Sequence, residues 1–303
     1  MKPKIIAIAR EVSHHLTKEQ KVDLEKMIDI LTPWEGSFDG ESIAASLYMK
    51  WYIQFERSLY VKQFGKEAEK DRMAISNNYH FTDAFQNILT SVQLEKEESH
   101  WQVICVGAHE NYSGKNHCAF NIAMALIEAK EFLSENVSSN PQNWIWRNLH
   151  VNDYTNMPWS KTHVKFFFHR SVPVPGNPHT PNVSKINYSK NLENTVISSG
   201  ASANFKMLIQ LAKDPKDDVS LFSIDGGMHG NPFQGNFFDM NKDHLEGRLR
   251  PMKWNAEKFA GTPANTLTLI PRPKAKKNYK KIAEEKAGQQ EEEVYAEKSN
   301  DEL

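Results

Sequence analysis

Cysteine is almost missing from this chain: Cys105 and Cys118 are the only two in 303 residues. That excludes a small fold stapled by several disulfides and leaves one bridge or two thiols open. Net charge is nearly missing too, since 37 Lys and Arg against 38 Asp and Glu leave a formal −1. No overall field therefore draws the chain onto nucleic acid or anionic lipid. No run of about eighteen apolar residues occurs, which excludes an ordinary membrane-spanning helix. The apolar part of "MKPKIIAIAREVSHH" is too short for a secretory signal. Also missing are a P-loop, a G-x-G-x-x-G and an H-E-x-x-H, so nucleotide binding and zincin chemistry have no motif. The nearest approach to a nucleophile elbow, Gly200-Ala201-Ser202-Ala203-Asn204, lacks the final glycine and runs into a strand instead of a helix. No internal repeat is visible.

What is present suffices for a core, with 39% hydrophobic and 11% aromatic residues. Thr17 and Gln20 form a capping box for a helix to about Leu31, striped by Val22, Leu24, Met27, Ile28 and Leu31. After the loop "PWEGSFDG", Ser42 can cap a long helix in which Ile43, Leu47, Trp51, Phe55 and Leu59 recur every four residues, with Gly65 past its end. A third helix is expected at about Thr82 to Glu97 on Phe85, Ile88, Leu89 and Val92. A fourth, about Asn116 to Asn136, should bury Phe120, Met124, Ile127 and Phe132. From Trp146 the helical period gives way to short β-rich runs: "HVKFFFH", "NTVIS", "NFKMLIQL", "DVSLFSID" and "NTLTLI". Two of them, joined at Asp214-Pro215-Lys216-Asp217-Asp218, read as an antiparallel pair. Helices first and strands later predict an α+β architecture. From Pro271 to Leu303 a basic stretch is followed by an acidic one with few apolar residues, which reads as a mobile tail. Residues 1–270 then form the folded region and 271–303 the tail.

Two places carry residues capable of chemistry. "HWQVICVGAHENYSGKNHC" offers His100, Cys105, His109, His117 and Cys118, but the spacing fits no structural zinc pattern, so buried thiols and loop histidines are the expected reading. The second, "DGGMHGNPFQGNFFDMNKDHLEGRLRPM", starts at Asp225. As a phosphate cradle, Gly226 to Gly230 lacks a following Lys and a helix start. As a metal site, His229 and His244 stand far apart with only Asp239 and Asp243 nearby. As a turn, its glycines supply positive φ and Pro232 fixes φ, which accounts for most of the composition. Four Asn-x-Ser triplets begin at Asn111, Asn136, Asn182 and Asn187, acceptors for glycosylation if the chain enters a secretory pathway.

The order of motifs is more informative than any one of them. "GGMHGNPFQGNFFDMNKDHLEGRLRPM" resembles the closing signature of the penicillin acylase (penicillin amidase) family of N-terminal nucleophile hydrolases. Upstream, "SSGASANFKMLIQL", "FFFHRSVPVPGNPHTPNVS", "WIWRNLH" and "LTPWEGSFDGESIAASLYMKWY" are similar to that family's elements in the same order, together spanning about Leu31 to Ile270. The departures are Met228-His229 where Gln-Ser is usual, Gln234 for Ser, Asn236-Phe237 for His-Tyr, and Asn148 for the glycine before Leu149-His150. His150, Gly227, Gly230, Asn231, Pro232, Asp239 and Gly247 match the signature, in a structural capacity.

The resemblance implies the C-terminal part of an αββα fold and hydrolysis of linear amide bonds. In the family a new N-terminal Ser attacks the amide. Its own α-amine serves as base, reasonable because that group titrates near 7.7–8.0, and Asn and backbone donors hold the oxyanion. In the family's order, that Ser, the oxyanion Asn and the calcium ligands precede the matched motifs. The chain is thus expected to be the C-terminal part of a large subunit, without catalytic residues or cofactor of its own. Its expected partners are the N-terminal part of the same enzyme and, in the complete enzyme, a small amide substrate. Ser76 in "ISNNY" imitates the S-N-N-W start of the large subunit but falls out of order. The alternative is a non-catalytic binding or assembly subunit. The terminus Asn300-Asp301-Glu302-Leu303 is similar to a Lys-Asp-Glu-Leu retention signal and with the sequons points to the lumen of the endoplasmic reticulum.

Overall fold

The computed structural model describes residues 2–64, 87–88, 105–106, 109, 112–156, 159–186, 195–214, 217–253 and 268–269. The chain divides into two units, Met1–Met252 and Lys253–Leu303. In the second, only Lys253, Thr268 and Leu269 are described, so "NTLTLI" and the charged tail fall outside the described residues.

The first unit opens on a helix where sequence periodicity had suggested no element. α1 (Lys2–Glu11) buries Ile5, Ile8 and Ala9, a spacing of three and four that puts them on one face. Lys2 Nζ donates to the Thr32 carbonyl at 2.8 Å, which ties this start to the end of α2 (Lys18–Leu31). The capping box of α2 is present: Gln20 N–H donates to Thr17 Oγ1 and Thr17 N–H to Gln20 Oε1. Leu24, Met27, Ile28 and Leu31 are buried, but Val22, expected in the same stripe, is 55% exposed.

α3 (Ile43–Phe64) begins where Ser42 Oγ accepts from Ala45 N–H. Its flanks are covered almost all round, including Trp51, Phe55, Ser46, Lys50 and Ser58. Trp51 Nε1 donates to the Ile122 carbonyl at 3.1 Å. Lys50 Nζ sits 3.8 Å from the centre of the Phe132 ring, and burial pushes its ammonium down to about 8.

α4 (His117–Asn136) is the helix on which α1, α2 and α3 all pack. The stripe expected of it needs correction. Ile127 is buried, but Phe120, Met124 and Phe132 are only half-buried, and the fully covered positions are Cys118, Ala119, Asn121, Ile122, Ala123, Ala125, Leu126, Ala129 and Leu133. A helix contacted from several sides needs small residues where neighbours approach, so alanine takes the centre and larger rings lie along the margins. Cys118 in its first turn forms a disulfide with Cys105, Cα to Cα 5.0 Å. The reading of both as buried thiols is therefore replaced by a buried bridge.

After the one-turn α5 (Trp146–Leu149) the chain enters a four-stranded sheet in the order β2-β1-β4-β3. Its strands are β1 (His150–Tyr154), β2 (Arg170–Pro173), β3 (Ser184–Ile186) and β4 (Ile197–Ser202). β1 pairs antiparallel with β2 and parallel with β4, and β3 pairs antiparallel with β4. A second, antiparallel sheet contains β5 (Phe205–Gln210), β6 (Val219–Ile224) and β7 (Arg250–Pro251) in that order. The pair joined through 211–218 thus forms as read, in the register Phe205↔Ile224 to Gln210↔Val219. "HVKFFFH" does not form a strand. Lys165–Phe168 makes a single helical turn, α6, because its rings find aromatic partners outside any ladder: Phe168 stacks on Trp159 at 5.5 Å and Phe167 meets Phe233 at 5.0 Å. Helices therefore come first and largely antiparallel strands follow, the α+β architecture expected from the sequence. Of the helix expected at Thr82–Glu97, only Asn87 and Ile88 are described; both are helical and Ile88 is buried.

Candidate functional site

The motifs that run in order along the chain meet in space. Phe38, from the Trp34–Gly40 loop, packs edge-on against Trp146 at 5.5 Å, and its carbonyl accepts from Gly176 N–H at 2.7 Å. Arg147 N–H donates to the Gly40 carbonyl at 2.8 Å. Trp146 Nε1 donates to the Gly176 carbonyl at 3.1 Å. Asn152 Nδ2 on β1 donates to Ser202 Oγ on β4 at 2.9 Å. Tyr154, at the end of β1, meets Phe238 at 5.3 Å. Loop, tryptophan element, post-β2 segment, β4 and the glycine-rich turn therefore form one connected junction.

His150 occupies its centre. The ring lies parallel to Trp146 at 4.4 Å and is fully buried. A carbonyl can only accept, so the 2.9 Å contact with the Val174 oxygen requires the proton on Nδ1. Nε2 then accepts from Ser184 Oγ at 3.4 Å. The backbone reciprocates, with Val174 N–H donating to the His150 carbonyl at 3.0 Å. Burial pushes the imidazole down to about 4, partly opposed by the bond to Val174. It is a neutral ring with both nitrogens engaged, which fastens β1 to the chain beyond β2 and to β3.

The glycine-rich turn leaves β6 and returns through α7 (Asn241–Leu245). Of its glycines, Gly226 takes φ +75°, and Gly247, just past α7, takes +73°. Gly227 is needed for another reason: a Cβ there would lie 2.2 Å from the Asn236 carbonyl oxygen. Gly230 has neither constraint, since its φ is not positive and a Cβ would meet nothing within 4 Å. The expectation that the glycines as a group supply positive φ is thus narrowed to Gly226 and Gly247. Asn231 organises the tip: its Oδ1 accepts from Phe233 N–H at 3.0 Å, its carbonyl from Gln234 N–H at 3.1 Å, and its N–H donates to His229 Nδ1 at 3.0 Å. Pro232 is half-buried, and exposed Asp239 receives Asn236 Nδ2 at 3.4 Å.

His244, treated in the sequence only as a distant metal candidate, is the buried anchor of this turn. Its Nε2 donates to the Ala203 carbonyl at 2.7 Å, so Nδ1 accepts from Ser223 Oγ at 2.9 Å. Lys206 Nζ donates to the His244 carbonyl at 2.5 Å. Desolvation lowers the His244 ring and raises nearby Asp225. The sequence signal for this role was slight: a lone histidine four residues past the Met240 that re-enters the core. Asp243 beside it is ion-paired with Arg248 at 2.7 Å and Arg250 at 2.9 Å, which keep its carboxyl below the usual range, Arg250 most.

Ser76 and His100 lie outside the described residues. His109 packs on Phe120 and His117 on Tyr112, and the disulfide takes both sulfurs out of thiolate chemistry. Among the described residues, no three His, Cys, Asp or Glu side chains stand together as metal ligands, and no helix is long and apolar enough to cross a membrane.

A family model described as penicillin amidase matches residues 4–261, most of the chain and all of this junction. No curated protein matches it.

Proposed function

The chain belongs to the penicillin amidase family, and from that premise we propose that it is the scaffold-bearing C-terminal region of a hydrolase that cleaves linear amide C–N bonds. One observation carries this reading: the family match covers the junction, whose histidines His150 and His244 each have both ring nitrogens committed to folding contacts. In each ring one nitrogen accepts from a serine hydroxyl, the contact a general base makes, but Ser184 is 1% and Ser223 2% exposed, so a substrate amide does not reach either serine. The reacting Ser, its α-amine and the oxyanion Asn are then supplied by the segment that precedes these motifs in the family's order. Calcium ligands belong to that segment as well. That segment is the partner this scaffold packs against, with a small acyl-amide as substrate of the whole and the endoplasmic-reticulum lumen as its location.

The purified chain alone is expected to show no turnover of phenylacetyl- or other acyl-amides. Turnover that disappears in Ser76→Ala would overturn the reading by making "ISNNY" the nucleophilic start. The second reading, a non-catalytic assembly subunit, rests on the departures at Met228-His229 and Asn236-Phe237. An in-frame upstream sequence carrying a Ser-Asn-Asn-Trp-like start decides for the enzyme; its absence decides for the subunit.

A further inference from the structure

Of the four Asn-x-Ser triplets, those at Asn136 and Asn182 fall among the described residues, and the fold treats them differently. Asn182 is half-buried. Its serine, Ser184, is 1% exposed and reaches the His150 ring, while the Asn182 carbonyl accepts from Thr180 Oγ1 at 3.0 Å. Asn136 is the last residue of α4 and is exposed, as are Ser139, Asn140, Gln142 and Asn143 in the turn that follows. A second observation bears on compartment. The Cys105–Cys118 bridge is a buried part of the core, and such bridges form and persist in oxidising compartments of the kind in which N-glycans are attached.

We propose that Asn136 is an N-glycosylation site, modified as the chain enters an oxidising secretory compartment. The co-reactant is an oligosaccharide carried on a polyprenyl pyrophosphate. The Asn136 side-chain nitrogen attacks the anomeric carbon, a C–N bond forms, the C–O bond to pyrophosphate breaks, and the polyprenyl pyrophosphate leaves with the electron pair while the amide loses one proton. No electron carrier is needed. The folded chain accommodates the product, because Asn136 Nδ2 donates to the Phe132 carbonyl at 2.9 Å and a glycosylated amide keeps one N–H for that bond. It does not present the acceptor triplet in extended form. Val137 and Ser138 N–H both bond to the Leu133 carbonyl, and Ser138 Oγ accepts from Asn140 N–H at 3.1 Å and Asn143 Nδ2 at 3.0 Å. Transfer therefore precedes closure of this helix end. The sugar then holds that end of α4 in solvent and keeps it out of any interface.

The test uses protein purified from its own cells, deglycosylated with peptide N-glycosidase in heavy-oxygen water and cut with trypsin. The peptide from Glu131 to Arg147 is expected to carry labelled Asp at position 136. In the same cells, tagged Asn136→Gln is expected to lose one glycosidase-sensitive mobility step completely. Ser138→Thr, which preserves the triplet, is expected to retain it and so separates loss of the acceptor from misfolding. An unmodified Asn136 in that peptide, or a label confined to another triplet, would overturn the proposal.

Discussion

At the scale of single residues, two neighbouring glycines of the same motif make opposite predictions. A methyl at Gly227 is driven into the Asn236 and Phe237 backbone, where no flexible side chain can yield. Gly227→Ala should therefore cost on the order of 1–3 kcal/mol, as overpacking does. Gly230→Ala projects into open space and should stay within about 0.5 kcal/mol of the parent. Urea midpoints of the two variants check this, and equal effects would show that the motif's glycines act only through composition. His150 carries a prediction in pH. An ordinary histidine titrates near 6.5, and burial lowers this one to about 4. Between those values the unfolded chain binds the proton and the folded chain does not. The stability that the neutral ring contributes is thus complete above pH 6.5 and is lost as pH falls toward 4, a window of roughly 3 kcal/mol. His244 is shifted in the same direction. His150→Gln should be less stable at neutral pH yet show a flatter decline between pH 6.5 and 4.5; an unchanged slope would remove His150 from that role.

At the scale of elements, legibility followed local chemistry. The capping box at Thr17 and the Ser42 start of α3 were readable because each joins residues three positions apart, and the β5–β6 pairing because two β-rich runs flank one turn-rich segment. The face of α4 was not, because it depends on three other helices closing around it. Periodicity selected Phe120, Met124 and Phe132, and packing buried alanines instead. "HVKFFFH" failed for a related reason: aromatic, β-rich composition states only that the rings seek apolar contact, and Trp159, Phe233 and Phe237 supplied it around a helical turn. The disulfide yields the element-scale prediction. It closes a loop with a sequence separation of 13, which on chain-entropy grounds stabilises by about 3 kcal/mol. Reduction, or paired Cys105→Ala and Cys118→Ala, should lower the thermal midpoint of unfolding by several degrees, and no shift would mean that α4 is held by packing alone.

At the scale of the whole molecule, the two sheets differ in what covers them. The first contributes Ile186 and Ile197 to the core beneath the helices. In the second, β5 stands at an edge among the described residues with Phe205, Met207, Leu208 and Ile209 about half exposed and Leu211 beyond them more so. An apolar edge strand of this kind promotes association. The isolated chain should self-associate in light scattering, and Ile209→Lys with Leu211→Lys should raise its monomeric fraction; a monodisperse parent would show the surface to be harmless.

The order of the family's motifs, the start and capping of α2 and α3, the turn between β5 and β6, and the α+β succession were determined by sequence alone, since all are properties of neighbours along the chain. Which histidines are spent as buried clasps, which glycine has no room for a methyl, which Asn-x-Ser triplet faces solvent, and that Cys105 meets Cys118 were decided only by tertiary structure. Each depends on what the folded chain brings within, or keeps away from, a few ångströms of the residue, and spacing along the chain carries no record of that.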